Sequence, residues 1–438
     1  MISFFNICYL RRRILPLYTC MGLLITNIKG LVASLPENDG PVRGKELAEL
    51  NIINDAFLWC SSGLIADYGR MGDRDLSELR DDEDTEVIDA RGRFVFPSFC
   101  DSHTHLVYAG SREKEFADRI AGLSYGEIAA RGGGILNSAL LLHNTGEDEL
   151  YHQSMERMEE IISQGTGAVE IKSGYGLNTA DELKMLRVIR RIRETAPIAV
   201  RATFLGAHAV PAEYRGRRED YVDVIINEMI PQVAGEELAD YIDVFCDDGF
   251  FSVHDTERIL MAGLKHGLIP KIHANELGFS GGVETGVKYN ALSVDHLERT
   301  GDKEIAALAA SDTMPVLLPG AALFLGLPDA PAGRMIEAGL PVTLASDYNP
   351  GSCPTGNMKL IMSLACMKLG MLPAEALNAA TINGAWAMGL GETHGSVARG
   401  KVANVIITEE MPSVEYFAYA FGSGLVWKMV AGGRERGA

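Results

Sequence analysis

The segment FVFPSFCDSHTHLVYAGSR, residues 94–112, indicates both the fold of the chain and the place of its site. It begins as a nearly continuous apolar run and ends in two histidines, His103 and His105, separated by one residue. Side chains two residues apart in a strand point to the same face, so both imidazoles can converge on one point. Neutral imidazoles suit Zn²⁺ or Fe²⁺, although two surface histidines in a turn give the same pattern. The segment predicts a buried strand with a candidate metal site at its carboxyl end.

Apolar runs of this kind alternate with helix-patterned segments through the middle of the chain. In one such segment, residues 179–196, apolar side chains recur at the spacing of a helical face. Near-continuous hydrophobicity is typical of parallel strands that are covered on both faces. Eight strand–helix units predict an α/β fold, a TIM-like (β/α)₈ barrel. The eight apolar runs are residues 94–105, 167–176, 198–210, 241–249, 268–276, 291–298, 314–320 and 340–351.

Short β-type runs also occur at both ends of the chain. Three of them lie within residues 23–97, and two more lie within residues 394–434. Because chain termini often lie close together, we expect the two ends to combine in one small β-sandwich domain. This interpretation assigns residues 21–95 and 391–438 to the β-sandwich domain and residues 96–390 to the barrel.

Residues 1–20 need a separate interpretation. Three arginines follow a short apolar piece, which is the reverse of the order in a secretory signal. The lack of acidic residues leaves a transit peptide open, and a start codon placed too early is the alternative. We favour the alternative, because Met21 opens a segment that is patterned like a natural first strand. We therefore expect residues 1–20 to be an extension outside the fold.

Composition and charge argue against several classes of protein. The chain has 40 Lys and Arg against 59 Asp and Glu, a formal net charge of −19, and no basic stripe that would fit a nucleic acid. No uncharged apolar run is long enough for a membrane span. Seven cysteines without a CxxC pair indicate a reducing compartment without disulfides, so we expect a cytoplasmic protein. By the base rate for such barrels, we also expect a homodimer.

Polar residues collect at the carboxyl ends of the apolar runs, where a barrel places its active site. With His103 and His105, the strand-end residues His273 and Asp347 form a set of three nitrogens and one oxygen that leaves space for a water. Singly, His273 suits a core position and Asp347 a helix cap. Together the four residues predict one Zn²⁺ or Fe²⁺/Fe³⁺ ion per chain, and this ligand chemistry does not distinguish the two metals. Such an ion lowers the pKa of its water to about 7 and makes hydroxide available as a nucleophile.

Other side chains at the strand ends suit substrate chemistry. Glu276 can carry a proton between the attacking water and a substrate nitrogen, and His296 can polarise the carbonyl under attack. Arg112 can hold a substrate carboxylate with two parallel hydrogen bonds. A solvated loop carboxylate is the alternative for Glu276, and a surface arginine is the alternative for Arg112. Tyr175 and His208 project from the second and third strand ends.

Several motifs give the chain a family resemblance. Among them are FPSFCDSHTHLVYAGSREKEF, residues 96–116, EIKSGYG, residues 170–176, and ASDYNPGS, residues 345–352. From about Met21 to its end, the chain resembles the imidazolonepropionase family of the amidohydrolase superfamily. The resemblance implies a mononuclear zinc or iron hydrolase of histidine degradation. Its reaction would open the ring amide of 4-imidazolone-5-propanoate to give N-formimino-L-glutamate.

The resemblance also implies a role for each candidate site residue. The implied metal ligands are His103, His105, His273 and Asp347. The implied substrate-binding residues are Arg112, Tyr175, His208, Glu276, Asn349, Gly351 and Ser352. The implied catalytic residues are Glu276, His296 and Asp347. The implied partner is a small molecule with a carboxylate tail.

Two rival functions remain open at this point. Another cyclic amidohydrolase, or a deaminase acting on a related ring, would share the metal ligands. A purine or pyrimidine substrate, however, has no carboxylate, so it would not explain the presence of Arg112 and Tyr175. The second rival is a barrel that has lost its metal and serves as a scaffold, but a relic has no physical reason to keep four ligands and Glu276.

The chain departs from the family pattern at a few positions. Ser98 stands where a glycine is usual, and residues 136–148 read LNSALLLHNTGED in a helix where we expect threonine and arginine. Tyr348 replaces a small residue directly beside Asp347. Its side chain either narrows the pocket or turns outward.

Overall fold

The computed structural model describes residues 22–34, 40–123, 127 and 133–436. The predicted extension, residues 1–20, lies outside this part of the chain. Within it the strands form two sheets of eight, one from the two ends of the chain and one from its middle. The strands are β1 Gly22–Ala33, β2 Asn51–Ser61, β3 Leu64–Arg70, β4 Thr85–Asp89, β5 Arg93–Pro97, β6 Phe99–Thr104, β7 Thr166–Lys172, β8 Ala199–Ala207, β9 Tyr241–Cys246, β10 Ile269–Ala274, β11 Ser293–His296, β12 Met314–Leu317, β13 Thr343–Leu344, β14 Val405–Glu410, β15 Val426–Ala431 and β16 Arg434–Arg436.

The strands β6 to β13 form the barrel, and each pairs in parallel with its neighbours in chain order. They coincide with the eight apolar runs, so the predicted (β/α)₈ barrel is confirmed. The first run, residues 94–105, contains two strands. Its first part, β5, pairs with strands of the other sheet, and the barrel begins with β6 at Phe99.

The barrel closes between its last and first strands at the carboxyl end. β13 has only two residues, and the N–H of Asp347, just beyond it, donates to the carbonyl oxygen of His103 at 2.9 Å. The N–H of His105 donates to the carbonyl oxygen of Tyr348, also at 2.9 Å. Asp347 has a φ of 57°, a left-handed conformation that Asp adopts more readily than most residues. Three of the predicted metal ligands therefore lie on the seam of the barrel.

Helices pack against the barrel strands. The helix Thr179–Thr195 lies against β8 and buries Leu183, Leu186, Val188 and Ile189. In the described ranges, every helix is too short or too polar to cross a membrane. The α-helices are Ser77–Arg80, Glu113–Ile120, Ile135–Asn144, Glu147–Ser163, Thr179–Thr195, Arg218–Val224, Ile230–Gly235, Val253–Lys265, Gly282–Lys288, Asp302–Ala309, Pro319–Leu325, Ala332–Glu337, Met358–Leu369, Pro373–Ala380, Ile382–Ala387 and Glu415–Tyr419, with a π-helical turn at Ile225–Met229 and 3₁₀ turns at Gly44–Ala48 and Ala212–Tyr214.

The two ends of the chain share the second sheet, in the order β16-β15-β14-β5-β1-β2-β3. On one side β1 pairs with β2, and on the other its first half pairs with β4 and its second half with β5. β14 joins the two ends by pairing antiparallel with β5, so that Val405 lies opposite Pro97. Side chains from both ends, including Leu23, Ile25 and Ile407, pack in one core. The structure confirms that the ends combine in one β domain, and its residue boundaries stay predictions.

Candidate active site

Three histidines and one aspartate converge at the carboxyl end of the barrel. His103 and His105 lie at the end of β6, His273 lies in β10, and Asp347 follows β13. The Nε2 atoms of His105 and His273 are 3.5 Å apart. Asp347 Oδ1 lies 3.5 Å from Nε2 of His103 and 3.7 Å from Nε2 of His105. One potential ligand atom from each histidine lies within 4.8 Å of the others, as a shared metal ion requires.

The outer ring nitrogens of the three histidines also have defined surroundings. Each Nδ1 lies near an acceptor oxygen, with hydrogen-bond geometry for His103 and His105, whereas His273 Nδ1 lies close to its acceptor without making a hydrogen bond among the described residues. These oxygens favour a proton on Nδ1 and leave Nε2 free to bind a cation. Nε2 of His103 is buried and has no hydrogen-bond partner among the described residues. The three acceptors are Asp295 Oδ2 at 2.7 Å from His103, Asp243 Oδ2 at 3.0 Å from His273, and the Ser173 carbonyl oxygen at 3.4 Å from His105.

Burial sets the protonation of the ligand set. Burial lowers the pKa of His103 and of His105 well below the usual value, so both rings are neutral, the form that binds metal. Burial raises the pKa of Asp347, since a buried carboxylate without a cation is costly. Its Oδ2 accepts a hydrogen bond from Ser352 Oγ at 2.9 Å. This donor set fits a Zn²⁺ or iron ion, and the four residues form a candidate metal centre.

A buried ion network lies beneath the candidate metal centre. Lys172 Nζ lies 2.8 Å from Glu170 Oε1, 2.8 Å from Asp243 Oδ2 and 3.3 Å from Asp295 Oδ2. Lys271 forms an ion pair with the other oxygen of Glu170. The charge of Lys172 compensates Asp243 and Asp295, the carboxylates that face the histidines. Sequence analysis missed this network, although charged residues at alternate positions within the apolar runs are a signal for it.

Glu276 and His296 form a second titratable group in the cavity. His296 Nδ1 lies 3.7 Å from Glu276 Oε2 and 3.8 Å from Glu298 Oε2. Burial raises the pKa of Glu276 to about 7, against the opposing charge of His296. Burial alone would lower the pKa of His296, but Glu276 and Glu298 outweigh it and raise the pKa to about 10. At neutral pH, Glu276 can therefore exchange a proton and His296 is a charged donor.

The candidate residues line one cavity of about 350 Å³. His103 is placed outside its lining, since it lies buried behind the other metal ligands. The roles of the lining residues stay predictions. The predicted site residues that line the cavity are His105, Arg112, Tyr175, His208, His273, Glu276, His296, Asp347, Asn349, Gly351 and Ser352.

Tyr175 and His208 form one wall of the cavity beside His105. The His208 ring stacks on His105 with ring centroids 5.0 Å apart, and Tyr175 lies 5.8 Å from the same ring. Nδ1 of His208 lies 3.0 Å from the carbonyl oxygen of Gly174. Burial lowers the pKa of His208 to about 3, so this imidazole is a neutral hydrogen-bonding group.

Arg112 lines the cavity, and part of its guanidinium already makes hydrogen bonds within the protein. Its Nε and Nη2 donate to Glu115 Oε2 at 2.8 and 2.6 Å. Nη1 lies against Gly351, where a Cβ atom would be only 2.1 Å away. A second guanidinium, that of Arg119, also lines the cavity and lies 3.4 Å from the Gly351 carbonyl oxygen. Sequence analysis missed Arg119, although its spacing of seven residues from Arg112 indicates the same helical face.

The side chain of Asn349 makes its hydrogen bonds within its own loop. Its Oδ1 accepts hydrogen bonds from the N–H groups of Gly351 and Ser352 at 2.7 and 2.8 Å. Its Nδ2 donates to the carbonyl oxygen of Asp347 at 2.6 Å. These bonds fix the turn that carries Asp347, Gly351 and Ser352 into the cavity.

Tyr348 turns away from the cavity. Its hydroxyl group lies 3.1 Å from Glu160 Oε2 on the helix Glu147–Ser163, and its ring centroid lies 6.4 Å from that of Tyr108. It is absent from the cavity lining. Of the two orientations left open by the sequence, the structure shows the outward one.

The chain contains an amidohydrolase domain. Residues 253–435 match the model of the amidohydrolase family. The structure is similar to that of guanine deaminase from E. coli, with a TM-score of 0.69 over 96% of this chain and 99% of the other, at 14% identity. It is also similar to a zinc-bound adenosine deaminase from Xanthomonas campestris, with a TM-score of 0.68 over 95% and 92% of the two chains, at 16% identity. At these identities the similarity shows a shared fold.

Closer relatives define the family within this class. The chain is 53% identical to the imidazolonepropionase of Christiangramia forsetii over 94% of its own length and the whole of the relative. It is 54% identical to the imidazolonepropionase of Flavobacterium johnsoniae over the same shares. The chain belongs to the imidazolonepropionase family and is a hydrolase.

Proposed function

We propose that the chain hydrolyses the ring amide of 4-imidazolone-5-propanoate to N-formimino-L-glutamate in histidine degradation. The observation that carries the proposal is one cavity lined both by three of the four candidate metal ligands and by Arg112. The substrate needs a hydrolytic centre for its amide and a cation for its carboxylate tail. The name of the relatives supports the same reaction.

The metal ion is the first element of the proposed mechanism. His103, His105, His273 and Asp347 would hold one Zn²⁺ or iron ion. A bound ion supplies a Lewis acid that makes water nucleophilic at neutral pH. The neutral imidazoles and the free Nε2 of His103 support this assignment. Asp347 would also assist the reaction with its carboxylate.

Glu276 and His296 carry the proton chemistry of the proposal. As water attacks the ring carbonyl carbon, Glu276 accepts a proton from it, and a C–O bond forms. His296 donates a hydrogen bond to the carbonyl oxygen, on which negative charge develops. The ring C–N bond then breaks, and Glu276 returns the proton to the leaving nitrogen. The pKa of Glu276, raised to about 7 by burial, suits both transfers.

The remaining cavity residues bind and orient the substrate. Arg112 would hold the carboxylate tail through Nη1, with Arg119 as a second positive charge nearby. Tyr175 and His208 would pack against the ring and hydrogen-bond to it. The turn built by Asn349 would present Gly351 and Ser352 to the substrate.

The test is a turnover assay with metal-depleted protein and with protein reloaded with Zn²⁺ or Fe²⁺. Freshly prepared imidazolonepropionate is followed above its spontaneous decay, and the product is identified by NMR. We expect metal-dependent formation of formiminoglutamate, with the metal-depleted protein as the control. A fully metallated protein that forms no product would contradict the proposal and favour another cyclic amide or a deaminase substrate.

The assembly and location of the chain stay predictions. We propose a cytoplasmic homodimer, on the base rate for such barrels and on the cysteine pattern. Light scattering of the purified protein tests the dimer, and a monomeric mass would contradict it.

A further inference from the structure

Residues 173–177, here called the Tyr175 loop, connect β7 to the helix Thr179–Thr195 and touch three side chains of the site. Tyr175 itself lines the cavity. The carbonyl oxygen of Ser173 lies 3.4 Å from Nδ1 of His105. The carbonyl oxygen of Gly174 lies 3.0 Å from Nδ1 of His208. The conformation of this loop therefore sets the orientation of all three rings.

The composition of the Tyr175 loop does not fix that conformation. Gly174 has a φ of 109°, and Gly176 packs so tightly that a Cβ atom would lie 2.3 Å from the backbone nitrogen of Glu182. Glycines at both positions permit this path but also permit many others. The loop is buried, so its N–H groups need acceptors.

Glu182, in the first turn of the following helix, supplies those acceptors. It is fully buried and is not part of the cavity lining. Its Oε1 accepts hydrogen bonds from the N–H groups of Gly176 and Leu177 at 2.7 and 3.1 Å, and its Oε2 accepts one from Gly174 at 3.1 Å. Burial raises the pKa of Glu182 to about 7, and the hydrogen bonds from the loop N–H groups oppose this shift because they favour the ionised carboxylate. One carboxylate thus selects one conformation of a glycine-rich loop.

We propose that Glu182 is a positioning residue for substrate binding, which acts by fixing the Tyr175 loop. The effect on the substrate rests on the proposed function, whereas the effect on the loop does not. Glu182 touches neither the substrate cavity nor a candidate metal ligand. Its loss should therefore weaken substrate binding, and the metal content of each variant is measured in parallel because the Ser173 carbonyl oxygen also faces His105.

The test compares two buried carboxylates in the first turns of two barrel helices. Glu182→Gln keeps the size of the side chain but turns an NH₂ group toward the N–H donors of the loop. The control is Asp255→Asn. Asp255 is equally buried and accepts hydrogen bonds from the N–H and hydroxyl groups of Ser252 at 3.0 and 2.6 Å, away from the Tyr175 loop. Both changes lower stability, so stability alone does not separate them.

We expect Glu182→Gln to raise KM roughly tenfold, a loss typical of one or two hydrogen bonds, with a smaller change in kcat. Hydrogen–deuterium exchange at residues 174–177 should become faster. Asp255→Asn should change neither KM nor this exchange. A Glu182→Gln variant with unchanged KM and unchanged exchange would overturn the inference.

Two further measurements keep the test decisive. Should Glu182→Gln not fold, Glu182→Asp keeps the charge but shortens its reach, and unchanged KM and loop exchange in that variant would also overturn the inference. A wild-type protein without turnover would refute the proposed function alone. The exchange rates at residues 174–177 would still report on Glu182, since they do not depend on the substrate.

Discussion

Replacement of Gly351 by alanine tests the carboxylate-binding role of Arg112 without changing any charge. A Cβ atom at position 351 would lie 2.1 Å from Nη1 and 3.0 Å from Cζ of Arg112. The backbone of Gly351 is not in the left-handed region, so alanine is tolerated there without strain. The added methyl group acts on the guanidinium alone, which must move by at least about 1 Å to reach ordinary contact distance.

The size of the effect follows from the bond that the displaced guanidinium would lose. A hydrogen bond to a charged group contributes about 1.5–3 kcal/mol. Since each 1.4 kcal/mol corresponds to a factor of ten, Gly351→Ala should raise KM about 10- to 100-fold. Because the carboxylate tail binds equally in the ground state and the transition state, kcat should change little.

Steady-state kinetics on imidazolonepropionate provide the measurement. Gly333→Ala is the matched control, because a Cβ atom at position 333 has open space around it, and its KM should equal that of the wild type. The reasoning is refuted if Gly351→Ala binds the substrate as tightly as the wild type does. It is also refuted if kcat falls while KM stays constant.

Three further outcomes are expected. His273→Ala should abolish both metal binding and turnover, and elemental analysis that finds a normal metal content with activity would remove His273 from the ligand set. Glu276 is protonated below its pKa of about 7, so kcat/KM should fall as the pH drops through this value. A flat pH profile from pH 5 to 8 would contradict its role as the base. Tyr348→Phe loses the hydrogen bond to Glu160 and should lower the free energy of unfolding by about 0.5–1.5 kcal/mol with KM unchanged, as measured by denaturant titration.

The barrel could be predicted because its strands are apolar on both faces and alternate with amphipathic helices. The same signal failed to divide the run at residues 94–105. β5 and β6 are both buried and only Ser98 separates them, and hydrophobicity does not show which sheet a strand joins. The pairing of β5 with β1 and with β14 reveals that β5 belongs to the terminal sheet.

The cavity-lining residues could be predicted because barrel chemistry collects at the strand ends. The residues that support them are harder to find from sequence. Asp295 orients His103 across a separation of 192 residues, which no local pattern reports. Glu182 is different, since its partners are five to eight residues away, and a glutamate after a glycine-rich loop is a local signal. The orientation of Tyr348 depended on Glu160, a distant residue on another helix.

The shared terminal sheet has a consequence for the chain during its synthesis. β1 to β5 leave the ribosome first, yet β14, the partner of β5, is made only after the whole barrel. Until then the edge of β5 offers unpaired N–H and C=O groups, and the apolar side chains that later contact Val405 and Ile407 lack their cover. The nascent chain therefore exposes an unpaired, aggregation-prone strand edge through most of translation. Binding of chaperones would be most useful at this stage.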